Sequence, residues 1–304
     1  MKMNLLEIAK KITLEAGNAT LQVRDIGSID SVLKDDGTQF TKGDEVSHHI
    51  LSKLEKETGI PVLSEEISND EYLLVRQKYL ETGKAWIVDP LDGTKEYAKG
   101  LDEYAISVAL IEDGKPTIGI VYAPQKGWIM YSETGKGAKI LNLKTKEEKE
   151  LKTSSQSDFK EMVLLVSSSE LNSEAYPDYC KNLERLGYIL DNDKRIRSYG
   201  STTLKSAMIA NGEGDYNFTF TAWDHRKNKI RITKEWDIAA TYLLVREAGG
   251  MMTDCAGNDF VFGKEDPKNY QGIFTSNSTK YHNKLLRQVV GNINLESIKM
   301  SPQP

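Results

Sequence analysis

Apolar residues recur at helical spacing at the start of the chain. Leu5, Ile8, Ile12 and Ala16 share one face and predict an amphipathic helix. A second helix is predicted from near Asp44, with Val46, Ile50, Leu51 and Leu54 inward. The short apolar run Ile60-Pro61-Val62-Leu63 reads as a strand that ends on Ser64-Glu65-Glu66, and the polar segment 67–84 as a loop with some helix. Ala85-Trp86-Ile87-Val88 is a further strand. Residues 104–124 read as a β-hairpin turned at Asp113-Gly114, and 127–140 as more strands. The charged, apolar-poor run 142–158 is the predicted boundary between an α+β half (1–152) and an α/β half (153–292). In the second half, strands 162–169, 215–220, 250–254 and 272–277, with a short one near Tyr188, alternate with helices 175–187, 203–211, 237–248 and 279–290. That alternation predicts layering. Residues 293–304 read as a loose tail.

Composition narrows the function classes. Of 304 residues, 39% are hydrophobic and 28% charged, enough for a sizeable core. The net charge of −5 argues against a nucleic-acid polymer as partner. No apolar run approaches the roughly 20 residues that span a bilayer, and the start lacks the uninterrupted apolar core of a signal peptide. No membrane association and a cytoplasmic location are therefore expected. Cys180 and Cys255 lie far apart, and His48, His49, His225 and His282 are scattered. Any metal would be held by oxygen.

The stretch Trp86-Ile87-Val88-Asp89-Pro90-Leu91-Asp92-Gly93-Thr94-Lys95-Glu96-Tyr97 runs a strand into two carboxylates three residues apart. Mg²⁺ prefers oxygen ligands at about 2.0–2.1 Å and shares them with substrate phosphate. Asp89, Asp92 and the Leu91 carbonyl can face one such centre. Gly93 permits a sharp backbone path, and Thr94 stands near a helix start suited to phosphate. Tandem turn formers are the plain alternative for this stretch alone. Two other clusters add weight. Glu65-Glu66 would repel without a cation between them, and Asp237 follows Trp236 at the start of a helix. For Asp237 and Asp44 the plain alternative is an N-cap.

Taken in order, Asp44, Glu65-Glu66, Asp89–Thr94, Ser198–Tyr216, Trp236–Ala240 and Glu247–Gly250 resemble the inositol monophosphatase superfamily. Val62–Glu66, Val88–Tyr97, Ile118–Pro124 and Gly200–Lys205 are most similar to its bacterial-type 3'(2'),5'-bisphosphate nucleotidases. The resemblance implies an α+β protein with a layered α-β-α-β-α sugar-phosphatase fold. It implies a lithium-sensitive phosphomonoesterase that hydrolyses 3'-phosphoadenosine 5'-phosphate with two or three Mg²⁺ ions and metal-activated water. Metal ligands would be Glu65, Glu66, Asp89, the Leu91 carbonyl, Asp92 and Asp237. Catalytic roles would fall to Asp44, Thr94 and Glu65, with Gly93, Thr94, Gly200, Ser201 and Lys205 on the substrate. A solvated charge is the alternative for Lys205.

The stretch 221–231 is longer and more basic than the family pattern and reads as a loop. In it Arg226, Lys227 and Lys229 either contact an anionic substrate or are simply solvated. Tyr97 and Tyr104 read as core or pocket wall. The rival activities are inositol mono- or polyphosphate and other sugar-phosphate hydrolysis, and the rival class is an inactive binding protein. Partners are confined to a small phosphorylated substrate, and a monomer or a homodimer is expected.

Overall fold

The computed structural model describes residues 4–27, 31–34 and 39–291. Its organising element is a seven-stranded sheet. In spatial order the strands are Val62–Ser64, Lys84–Asp92, Ala105–Glu112, Lys115–Ala123, Trp128–Glu133, Ala138–Asn142 and Glu148–Glu150. The first pair is parallel and the rest antiparallel. Alternation along Lys84–Asp92 sends Trp86 and Val88 to one face and Ile87 to the other. Helices Leu5–Asp25, Lys42–Leu51 and Lys53–Thr58 cover the first face, where Ala9, Ile12, Ala16, Leu51 and Leu54 join Trp86, Val88 and Ile120.

Helices Thr202–Ala210 and Ala239–Glu247 cover the other face through Leu204, Ala207, Ala240 and Leu244. The same two helices also bury Leu165, Met252 and Ile273 of a second sheet. Being sandwiched, they are buried nearly all round, and the polar Thr203, Lys205 and Ser206 are buried with the rest. The second sheet orders its strands Ile196–Ser198, Leu164–Val166, Tyr216–Thr219, Ile273–Ser276 and Met251–Thr253. Its outer face packs on helices Pro177–Arg185 and His282–Val290 through Tyr179, Leu183, Leu285 and Val289. The result is the expected layered α-β-α-β-α arrangement. No helix among the described residues is long and apolar enough to cross a membrane.

Several elements differ from the sequence expectation. Segment 67–84 holds a 14-residue helix, Asn69–Thr82, capped by Ser68 and ended by Gly83 at φ 70°. Only Tyr72 and Tyr79 are buried on it, while Leu73, Leu74 and Leu80 are exposed, so no apolar stripe marks it. The strand expected near Tyr188 lies instead at Ile196–Ser198, and Tyr188 packs in the core against Tyr216. The stretch 221–231 is a β-ribbon, Ala222–Asp224 paired with Lys229–Arg231, and not a loop. The Asp113-Gly114 turn is present, with φ 47° and 79°. The tail 293–304 lies outside the described residues. Cys180 and Cys255 are buried and unpaired.

Behind the second sheet, His282 is buried beside the edge of Phe274. Its Nδ1 lies 2.7 Å from Ser276 Oγ, and its Nε2 lies 2.9 Å from Thr253 Oγ1, which donates to the Asp254 carbonyl at 2.8 Å. Ser276 Oγ also reaches the Ser278 carbonyl at 3.2 Å, so a hydroxyl closes off each nitrogen of the ring. Burial lowers its pKa to about 4. The folded value lies below the unfolded one, so this contribution is present above pH ~6.5 and is lost as pH falls toward 4. Denaturant titrations at pH 7 and pH 4 should show His282→Gln losing about 3 kcal/mol less stability than wild type over that interval. Equal losses would contradict the assignment.

Candidate active site

The parallel pair Val62–Ser64 and Lys84–Asp92 ends at the same sheet edge, so the chain leaves one strand at Glu65 beside Asp89 on the next. The Glu65 N–H donates to the Val88 carbonyl at 3.2 Å, which fixes that exit. Beyond Asp89 the register to Ala105–Glu112 shifts before Asp92. Pro90 and Leu91 thus oppose a single partner, a bulge that re-aims the backbone. The Leu91 N–H donates to Asp89 Oδ1 at 2.9 Å, and Ser47 Oγ donates to the Pro90 carbonyl at 2.6 Å. Gly93 then turns at φ 99°, where a Cβ would come within 2.6 Å of the Glu103 carbonyl oxygen. Only glycine suits both demands.

Asp237 arrives from the other half, just before helix Ala239–Glu247. It does not cap that helix. Its Oδ2 accepts the Lys234 N–H at 2.9 Å, and its carbonyl takes the Thr203 hydroxyl at 3.0 Å. The carboxylates of Glu65, Asp89 and Asp237 converge, with one oxygen from each lying within 4.8 Å of the others. Burial, then the charges of Glu65 and Asp92, push both Asp89 and Asp237 well above the usual carboxylate range. Burial also raises Glu65, against the pull of Lys234 and Lys34. Three crowded acids with fixed backbones, and no nitrogen or sulfur donor among them, form an oxygen-only set suited to a hard divalent cation.

Asp92, Leu91, Gly93 and Thr94 line the same cavity of about 340 Å³. Asp92 Oδ2 accepts Ser201 Oγ and the Thr203 N–H, both at 2.6 Å, so the start of helix Thr202–Ala210 orients it. Thr94 Oγ1 lies 3.1 Å from both Asp44 Oδ1 and the Leu91 carbonyl. Asp44 is 1% exposed, and burial raises it to about 6 despite hydrogen bonds from Thr41 and Thr94. Its helix starts at Lys42 with Thr41 as the cap, and Asp44 completes a capping box from the third position. The N-cap reading of Asp44 is thereby replaced.

Other sequence candidates sit elsewhere. Glu66 pairs with Lys34 at 2.6 Å and lies outside the cavity lining. Ser201 serves Asp92, and the Gly200 N–H donates to Glu103 at 2.8 Å; neither lines the cavity. Lys205 is 1% exposed, with Nζ 2.8 Å from buried Glu170, whose other oxygen binds Arg231 at 2.7 Å. It is neither a solvated charge nor a lining residue, because its helix lies between two sheets. Tyr97 and Tyr104 are core, packed edge to face on each other and clustered with Leu91.

The same cavity is lined by six basic residues, Lys95, Lys227, Lys229, Arg231, Lys234 and Lys268, with Lys234 Nζ 3.7 Å from Glu65. Of the expected contacts Arg226, Lys227 and Lys229, the last two line the cavity and Arg226 does not. The basic character of 221–231 was the signal for that wall, whereas Lys95 and Lys268 carried none. Glu170, a single acid after a short strand, could not have been picked out.

An oxygen-ligand centre at a strand edge between two α/β layers, in a cavity also lined by basic side chains, is the architecture of a phosphatase that works with metal. Residues 1–294 match the Inositol monophosphatase family, and the chain belongs to that family of phosphatases. It is 32% identical over 257 residues to the 3'(2'),5'-bisphosphate nucleotidase CysQ of Salmonella typhimurium, covering 83% of this chain and 92% of that one. It is 29% identical over 261 residues to the fructose-1,6-bisphosphatase/inositol-1-monophosphatase of Thermotoga maritima, covering 84% and 87%. The solved structure of a Thermotoga maritima IMPase superposes with a TM-score of 0.72 at 26% identity, covering 97% of this chain and 100% of that one.

Proposed function

We propose that the chain is a Mg²⁺-dependent, lithium-sensitive 3'(2'),5'-bisphosphate nucleotidase that converts 3'-phosphoadenosine 5'-phosphate to adenosine 5'-phosphate and phosphate. The observation that carries this is one cavity lined both by a converging carboxylate cluster and by six basic side chains. Similarity to the Salmonella nucleotidase over most of both chains supports the nucleotide over other phosphate esters.

Glu65, Asp89, Asp92, Asp237 and the Leu91 carbonyl would hold the cations. When bound, these supply Lewis-acid polarisation of the phosphoryl oxygens and a water nucleophile available near neutral pH. The chain's own groups do the rest. Thr94 Oγ1 can pass its proton to the Asp44 carboxylate, 3.1 Å away at Oδ1, as it accepts one from attacking water. Thr41 holds the opposite Asp44 oxygen through its N–H at 2.7 Å and its hydroxyl at 2.5 Å, so the acceptor is oriented beforehand. Leu91, Ile230 and Ile232 give the cavity an apolar side against which a base or sugar can pack.

Phosphate release with Mg²⁺ should be compared across 3'-phosphoadenosine 5'-phosphate, inositol 1-phosphate, inositol 1,4-bisphosphate and fructose 1,6-bisphosphate. The adenosine substrate is expected to give a kcat/KM about tenfold or more above the others, the size of effect a few extra charged contacts supply. A preference for an inositol or sugar ester would favour the activity named for the Thermotoga relative. No hydrolysis of any would favour an inactive binding protein.

A further inference from the structure

We propose that Lys95 and Lys227 form a second anion subsite that recognises a remote phosphoryl group of the substrate, with the ribbon 222–231 as the cavity's specificity element. The inference rests on the phosphatase reading above and assigns residues to its selectivity.

The basic wall is not uniform. Arg231 Nη2 is bound to Glu170 at 2.7 Å, Lys234 Nζ lies 3.7 Å from Glu65, and Lys268 Nζ lies 4.0 Å from Asp266. Lys95 and Lys227 are arranged differently. They come from separate elements, Lys95 from the short helix after Gly93 and Lys227 from the turn of the ribbon. Both side chains line the same cavity, and among the described residues neither forms an ion pair with a carboxylate. Two ammonium groups brought together repel, and an anion between them relieves that repulsion. The strain is visible in Lys95, which burial and then Lys227 lower to about 8.

The ribbon that presents Lys227 is fixed in place. Asp224 Oδ1 accepts the N–H groups of Arg226 and Lys227 at 3.1 and 3.0 Å, and Tyr176 donates to Asp224 Oδ2 at 3.0 Å. The His225 N–H donates to the Ala175 carbonyl at 3.1 Å. Arg231 ties the returning strand to Glu170, which Lys205 holds from the other side. This gives Lys205 a positioning role: it supports the carboxylate that anchors the ribbon. A substrate with one phosphate at the carboxylate cluster leaves the Lys95–Lys227 pair unneutralised, whereas a second phosphate can neutralise it. Discrimination therefore falls mainly on KM.

The test uses substrate pairs that differ only in the remote phosphate. These are 3'-phosphoadenosine 5'-phosphate with adenosine 3'-phosphate, and fructose 1,6-bisphosphate with fructose 1-phosphate. For wild type, Lys227→Gln, Lys95→Gln and Lys227→Arg, kcat and KM are measured with Mg²⁺ on each member. In the pair that wild type turns over, the kcat/KM ratio of bisphosphate to monophosphate should fall roughly tenfold or more in either glutamine variant, chiefly through KM. Lys227→Arg should keep most of the wild-type ratio. An unchanged ratio in both glutamine variants overturns the subsite, and so does wild-type hydrolysis of monophosphates with no gain from the second phosphate. Turnover of the sugar pair alone would defeat the nucleotide assignment, while the ratio in that pair would still decide the lysine subsite.

Discussion

Asp89→Asn should lower kcat/KM for phosphate release by about 10³ or more while leaving the fold in place. Loss of a residue that merely orients a metal ligand costs about 10–100-fold, and Asp89 is placed among the ligands themselves. The side chain is 2% exposed, and one of its oxygens lies within 4.8 Å of carboxylate oxygens of Glu65 and Asp237. Asparagine keeps its volume, and its amide oxygen can still accept the Leu91 N–H, now 2.9 Å from Asp89 Oδ1. What it removes is one negative charge from a crowded buried group. Without metal, the variant should therefore melt no lower than wild type, since repulsion between the acids is reduced. Steady-state kinetics and a thermal melt in chelator check both halves. Near-normal turnover would remove Asp89 from the ligand set, and a large drop in the metal-free melting temperature would make its role structural.

Removal of divalent cations should abolish activity, and returning Mg²⁺ should restore it. Glu65, Asp89 and Asp237 offer oxygen atoms only, and no histidine or cysteine is grouped with them among the described residues. Burial penalises each charge and their mutual repulsion adds to it, so a cation is the most effective way to keep all three ionised at neutral pH. Binding to the folded state alone also stabilises it. At a hundred times the dissociation constant the gain is about 2.7 kcal/mol, a rise of several degrees in melting temperature for a chain of this size. Phosphate release and thermal melts, each in chelator and then in excess Mg²⁺, check the two readouts together. Activity that survives exhaustive chelation would contradict the reading.

The layered fold was legible because long periodic elements report it: the first helix, the hairpin turned at Asp113-Gly114 and the alternation after residue 160. The helix Asn69–Thr82 was only partly legible, as some helix within a loop, because it has a Ser68 cap and two buried tyrosines but no apolar stripe. Acid spacing pointed to Glu65, Glu66, Asp89 and Asp92, since adjacent or closely spaced carboxylates at strand ends are costly unless something binds them, whereas Asp237 entered through the family resemblance. Spacing could not say which neighbour faces the cavity. Glu66 is one residue from Glu65 yet pairs with Lys34, and Ser201 turns to Asp92. Lys205 was misplaced because its buried partner, Glu170, is 35 residues away in sequence. The basic wall was half legible: charge marked the ribbon, but only the fold brings Lys95 across to it.

The most direct test is a calorimetric titration of Mg²⁺ into chelator-treated, desalted protein, with wild type and Asp89→Asn compared in the same buffer. Saturable binding by wild type, absent or at least about tenfold weaker in the variant, is the predicted result. Equal Mg²⁺ binding by the two proteins, or none by wild type, would contradict the assignment of these carboxylates as the metal centre.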